Sequence, residues 1–179
     1  MTAMKTNKTN AARLLDQAKI AYELIPYAFD ENDLSALHVA EALNEPIEQV
    51  FKTLVLKGDK NGYFVCVIPG ESELDLKLAA KASGNKNCDL IPQKDLLPLT
   101  GYIRGGCSPI GMKKHFPTYI HESCLLYEFM FVSAGQRGLQ LKITPKDLIE
   151  AATADCNLLV SHKKVSSHFV ISENTCIFA

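Results

Sequence analysis

Lys52 lies in the run Val50-Phe51-Lys52-Thr53-Leu54-Val55-Leu56, where strand alternation puts Val50, Lys52, Leu54 and Leu56 on one face. An ammonium group on an otherwise apolar face has two outcomes. Its stem can lie along the apolar surface while the charge reaches an edge. Otherwise the charge is fixed in a dry cavity, where it suits a carbonyl, a carboxylate or a phosphate. A second stretch with chemical potential is Gly101-Tyr102-Ile103-Arg104-Gly105-Gly106-Cys107-Ser108-Pro109-Ile110-Gly111, followed by Met112-Lys113-Lys114-His115. Glycines and a proline at this density do not sustain a helix or a regular strand. The stretch is either a glycine-rich surface turn or a loop whose exposed N–H groups cradle a small polar ligand, with cations following at once.

Cys107 and Ser108 raise the question of a nucleophile. A catalytic thiol needs a base and a group to orient it. His115 and His121 are candidates, but no spacing rule places either beside Cys107. Ser108 stands in Gly-Gly-Cys-Ser-Pro, which is not the G-x-S-x-G elbow, and no phosphate-binding G-x-x-x-x-G-K-[ST] loop occurs. Glu71, Glu73 and Asp75 precede a predicted helix, where their default role is capping and compensation of the helix dipole. The chain thus offers a lysine-bearing strand and glycine loops without a complete nucleophile–base set. That combination favours binding of a polar ligand, or catalysis by positioning and electrostatics.

The elements that must position these residues are readable in outline. Thr9 to Ile20 has the period of an amphipathic helix, with Thr9 or Asn10 as its cap. Tyr22–Tyr27 reads as a short strand. Ser35–Leu43 reads as a helix capped by Ser35 or Asp33, with Pro46 in the first turn of a short third one. Val50–Lys57 and Tyr63–Pro69 flank Gly58-Asp59-Lys60-Asn61-Gly62 and predict a hairpin. Asp75 caps a helix that Gly84 stops. A short strand over Asn87–Leu90 and a short helix over Ile91–Leu97 lead to the glycine loop. Thr118–His121 is strand-like. Phe129–Val132 and Leu139–Ile143 form a second hairpin around Ser133–Gly138, and Thr144-Pro145 opens a last helix through Ala152. This order has no regular βαβα alternation. It predicts an α/β chain of the α+β type, with a mixed, mostly antiparallel sheet curled on itself like a barrel and flanked by helices.

The bulk properties narrow the partners. The 179 residues suit one domain. The polar N-terminus lacks the apolar centre of a secretory signal and no apolar run reaches membrane-spanning length, so a cytoplasmic protein without a membrane partner is expected. The six cysteines show no C-x-x-C or zinc-type spacing. A net charge of −1 argues against a protein that holds long stretches of DNA or RNA, because such binding needs many cationic contacts. Any nucleic acid should be touched only at a short end, or with a partner's help. After Ser161 the chain turns polar and then apolar again, a tail that is either an added strand or disordered.

Three segments resemble the signatures of the YbaK/EbsC family: Val50-Phe51-Lys52-Thr53-Leu54; Gly101-Tyr102 through Gly105–Gly111 with Lys113-Lys114; and Val132-Ser133-Ala134-Gly135-Gln136-Arg137-Gly138-Leu139. Members of that family are bacterial Cys-tRNA(Pro) deacylases, related to the editing domain inserted in prolyl-tRNA synthetase. The resemblance runs from about residue 5 to about residue 158. It implies an editing domain over 1–160 and leaves 161–179 as a tail without counterpart. It further implies hydrolysis, in trans, of the ester between a wrong amino acid and the terminal adenosine of tRNA. Prolyl-tRNA synthetase is the implied partner, and neither metal nor organic cofactor is implied. Lys52 becomes the functional lysine, and Gly105, Gly106, Cys107, Ser108 and Pro109 the loop beside the scissile ester. Tyr27, Thr53, Ser133 and Gly135 match positions lining the same pocket. In the family the substrate cysteine supplies its own thiol and leaves as a thiolactone. Some members carry an acidic residue where this chain has Gln140, and a neutral amide cannot pair with the substrate ammonium as a carboxylate does.

Overall fold

The computed structural model describes residues 8–161; the expectation for the tail falls on residues outside these, apart from Ser161. Helix α1 (Asn10–Ala18) begins where the Thr9 hydroxyl accepts from the Ala12 N–H, and it buries Ala11, Ala12 and Leu15. Strand β1 (Glu23–Pro26) follows. Helix α2 (Ala36–Leu43) is capped by Ser35, whose hydroxyl accepts from the His38 N–H. Asp33 instead holds the Ser35 N–H. Pro46 stands just before a single 3-10 turn, Ile47–Gln49.

The predicted hairpin is β2 (Phe51–Gly58) and β3 (Gly62–Pro69), with Lys52 opposite Ile68. Helix α3 (Leu76–Ala82) starts on the Asp75 carboxylate, which accepts from Lys77 and Leu78. Next come β4 (Cys88–Leu90), α4 (Gln93–Thr100) and β5 (Thr118–His121). Beyond a 3-10 segment (Glu122–Leu126) lie β6 (Met130–Gln136), β7 (Leu139–Ile143), α5 (Pro145–Ala152) and β8 (Ala154–Asn157).

Two of these depart from expectation. Strand β6 runs on through Gln136, so the predicted six-residue connection shrinks to Arg137-Gly138. A register shift between Ser133 and Gln136 absorbs Ala134 and Gly135 within the strand, as bulges do. Strand β8 was not foreseen, because Ala-Asp-Cys-Asn has little strand character of its own. It exists through parallel pairing with β5, Thr118 against Ala154 through His121 against Asn157, a contact that sequence periodicity does not carry.

The single curled sheet is not what forms. The structure has a three-stranded antiparallel sheet ordered β1-β7-β6 and a five-stranded sheet ordered β4-β2-β3-β5-β8, in which β3–β5 and β5–β8 are parallel. The mixed α/β class therefore holds, while neither sheet closes. The two meet at one parallel bridge, Val50–Phe131. The Val50 N–H donates to the Ile47 carbonyl at 3.0 Å and its carbonyl accepts from the Gly70 N–H at 2.8 Å. Its main chain is thus paired with the turn at Ile47 and with Gly70 beyond β3, and the bridge to Phe131 stays isolated.

Three apolar clusters hold the layers. The largest joins α1, α5, β2, β3, β6, β7 and the glycine loop. A second packs α3 on the other face of β2 and β3. A third, small one sets Val39 and Ala40 of α2 on Val50 and Phe131, with Ile25 and Tyr27 at its border. Among the described residues no helix is long and apolar enough to cross a membrane.

Candidate active site

The bridge between the sheets organises the candidate residues. Two positions beyond Val50 and Phe131, on strands running the same way, come Lys52 and Ser133. Alternation keeps them on the side of their bridge residues, the side covered by α2. Gln140 is the register partner of Ser133 and, on its other side, of Ile25. Tyr27 follows β1 and donates its N–H to the Gly138 carbonyl at 2.9 Å. Register thus puts Tyr27, Lys52, Ser133 and Gln140, from both sheets, on the side where α2 packs on Val50 and Phe131.

Lys52 is half-buried. Loss of water pushes its ammonium below the usual lysine range, and the Glu73 carboxylate opposes that shift. Lys52 is thus a partly desolvated cation. Gln140 is 5% exposed and its Oε1 has no hydrogen-bond partner among the described residues. A buried orphan acceptor costs about 1–3 kcal/mol unless something pairs with it. Thr53 alternates to the opposite face of β2, where Phe51 and Val55 join the largest core. Its Oγ1 is likewise buried without a partner.

The glycine loop closes over the end of β6 from the main-core side. The Tyr102 hydroxyl donates to the Ile110 carbonyl at 2.7 Å, and the Thr100 hydroxyl accepts from the Tyr102 N–H at 3.0 Å. Asn10 at the start of α1 donates to the Gly111 carbonyl at 2.9 Å. Gly135 has φ +101°, and a Cβ there would stand 2.9 Å from the Tyr102 ring. Only glycine meets both demands. A Cβ on Gly106 would come within 3.1 Å of the main chain at Gln136 and Arg137, so loop and hairpin turn touch backbone to backbone. The Arg137 guanidinium donates to the Arg104 carbonyl at 3.0 Å and completes the join. Tyr102 and Arg137 are the ties that sequence reasoning did not single out. A hydroxyl-bearing ring inside a glycine run was the available signal.

Within the loop, the Gly106 N–H is held by the Ile103 carbonyl and the Ile110 N–H by the Ser108 hydroxyl. The N–H groups of Cys107 and Ser108 have no acceptor among the described residues. Both residues are buried.

No nucleophile is assembled here. Burial pushes the Cys107 thiol up to about 12, which leaves almost no thiolate at neutral pH. His115 is exposed, and the His121 Nδ1 accepts from the Leu159 N–H at 3.1 Å. The Ser108 hydroxyl is spent on Ile110. Cys107→Ala is accordingly expected to keep deacylation within about tenfold of wild type, well short of the hundredfold lower range of general-base effects; single-turnover rates on a charged tRNA measure it. Two surface clefts lie elsewhere. One, of about 330 Å³, runs between α1, Pro109–Met112 and α5; the other, of about 450 Å³, lies beside Lys57, Tyr63 and Leu90. Of the candidate residues only Pro109 and His115 line either, both in the first.

Residues 31–151 match the aminoacyl-tRNA editing domain family. The chain is 51% identical over 150 residues to EbsC of Enterococcus faecalis, which is named as a candidate Cys-tRNA(Pro)/Cys-tRNA(Cys) deacylase, covering 83% of this chain and 92% of that protein. A proline–tRNA ligase of Fervidobacterium nodosum is 31% identical over 85 residues, 48% of this chain and 15% of the ligase. A solved structure of a candidate trans-editing enzyme for prolyl-tRNA synthetase superposes with a TM-score of 0.78 at 22% identity, over 89% of this chain and 99% of that one. The chain belongs to the YbaK/EbsC family of aminoacyl-tRNA editing domains.

Proposed function

We propose that this protein removes a wrongly attached amino acid from tRNA in trans, with Cys-tRNA(Pro) as its main substrate. The observation that carries the reading is the identity to EbsC over nearly the whole of both chains, together with a site rich in fixed electrostatics and lacking a nucleophile of its own. Residues 1–160 are taken as the editing unit and 161–179 as an appended tail.

In this reading the ester carbonyl lies against the free N–H groups of Cys107 and Ser108, held by Gly105, Gly106 and Pro109. Those donors serve the oxygen as negative charge grows on it. Lys52 screens that charge or the terminal phosphate. Tyr27, Ser133 and Gly135 shape the walls, while Thr53 lies on the other face of β2 and is left out of this reading. The orphan Oε1 of Gln140 accepts from the substrate ammonium, a neutral substitute for the carboxylate found in some relatives. The thiol of the cysteinyl group attacks its own carbonyl. The C–S bond forms as the C–O bond to the ribose breaks, the ribose oxygen gains a proton, and a thiolactone departs. The chain's net charge of −1 suits an enzyme that grips only the acceptor end and takes its tRNA from prolyl-tRNA synthetase.

The test is release of labelled amino acid from a panel of charged tRNAs: Cys-tRNA(Pro), Cys-tRNA(Cys), Ala-tRNA(Pro) and correctly charged Pro-tRNA(Pro). Rapid release from Cys-tRNA(Pro) with Pro-tRNA(Pro) spared is expected. Spontaneous rates across the whole panel would refute the activity.

A further inference from the structure

Cys124 and Cys156 stand apart from the candidate site, and their sulfur atoms are 3.9 Å from one another. We propose that they are a redox modification site: a dithiol that low-molecular-weight disulfides convert to a reversible Cys124–Cys156 disulfide.

Position and access both support this. Cys156 lies on β8, opposite Ile120 of β5, and Cys124 follows β5 in the 3-10 segment Glu122–Leu126. The β5–β8 ladder fixes the two elements side by side. The bond from the Leu159 N–H to His121 Nδ1 closes the end of that ladder. The two sulfurs are therefore held in contact at 3.9 Å, and a bond of about 2.05 Å requires them to close the remaining distance. Access is asymmetric. Cys124 is fully buried, whereas Cys156 is partly exposed on the edge strand. The other described thiols lack this combination. Cys66 and Cys107 are buried, and Cys88 is buried and donates to the Leu76 carbonyl at 3.3 Å.

The chemistry follows from the asymmetry. The Cys156 thiolate attacks a small disulfide, forming a mixed disulfide and expelling one thiolate. The Cys124 sulfur, deprotonated as it reacts, displaces the second thiolate. The protein dithiol loses two electrons and the small disulfide becomes two thiols. Burial, and next the neighbouring Cys156, hold the Cys124 thiol above the usual thiol range, so Cys124 acts as the resolving thiol once Cys156 has reacted. The bond would tie together residues 32 positions apart. The loop so closed contains β6 and β7, and with them Ser133, Gly135 and Gln140.

The experiment uses the full chain and oxidised glutathione, followed by thiol titration and peptide mapping by mass spectrometry. Wild type is expected to lose two thiols, regained with dithiothreitol, with the bond mapped to Cys124–Cys156. Its thermal midpoint should rise by roughly 10 °C, as expected for a closed loop of this size. Cys124→Ser should halt at a glutathione adduct on Cys156, and Cys156→Ser should lose no thiol from Cys124. A bond from either cysteine to Cys66, Cys88 or Cys176, a stable adduct on wild-type Cys156, or six unchanged thiols would each overturn the assignment. None of these outcomes depends on which tRNA is the substrate.

Discussion

Lys52→Ala is expected to fold normally and to lose deacylation by about a hundred- to a thousandfold, the range seen when one fixed transition-state contact is removed. Lys52 is a partly desolvated cation on a face it shares with Val50 and Leu54. Its removal relieves a solvation cost, so the thermal midpoint should stay level or rise. The rate, in contrast, loses the cation beneath α2. Near-wild-type turnover by the folded variant would remove Lys52 from the mechanism. The pH profile gives an independent check. Because burial holds the ammonium below the usual lysine range, the charged form is complete at low pH and is lost as pH rises through that depressed value. Wild-type kcat/KM should therefore fall on the alkaline side earlier than an ordinary lysine would dictate. Lys52→Arg stays charged throughout, so whatever activity it keeps should show no such decline.

Cys-tRNA should be cleaved at least a hundredfold faster than Ser-tRNA on the same tRNA body, although the two side chains are nearly the same shape. The site offers a cation and main-chain donors, while its own thiol, Cys107, is held protonated and its serine, Ser108, is engaged by Ile110. If the nucleophile comes with the substrate, the reaction is intramolecular and needs no encounter. A hydroxyl in the same place ionises far less than a thiol and is a much poorer nucleophile at neutral pH. S-methylated Cys-tRNA should bind yet resist cleavage. Time courses with the three substrates separate these cases. Equal rates for cysteine and serine would mean that water is the nucleophile, with Lys52 and the Gly105–Pro109 loop supplying the remaining catalysis.

The elements that sequence disclosed are those built from local rules. Thr9, Ser35, Asp75 and Thr144 are side-chain caps of their helices, and the β2–β3 hairpin announces itself by alternation around a glycine-bounded turn. What stayed hidden depends on distant partners. Strand β8 forms because β5 is beside it, and the separation into two sheets shows at an isolated bridge between Val50 and Phe131, which are distant in sequence. The candidate site divides along the same line. Lys52 was visible as a charge on an apolar face. That Gln140 would end as a buried, unpaired acceptor opposite Ser133 needed the bulge in β6, and Ser-Ala-Gly does not specify a bulge over a turn. Cys124 and Cys156 carry no spacing signal, since two parallel-paired elements bring them together.

The single bridge between the sheets has a mechanical consequence. Lys52 rides on one sheet, Ser133 and Gln140 on the other; the main core joins the two sheets on one side, and on the α2 side the Val50–Phe131 bridge and the small cluster with Val39 and Ala40 do so. The spacing between the Lys52 cation and that wall thus depends in part on Val39 and Ala40, which pack on the two bridge residues. The aperture offered to an amino acid can accordingly be retuned by repacking a helix, with every residue that meets the substrate left as it is.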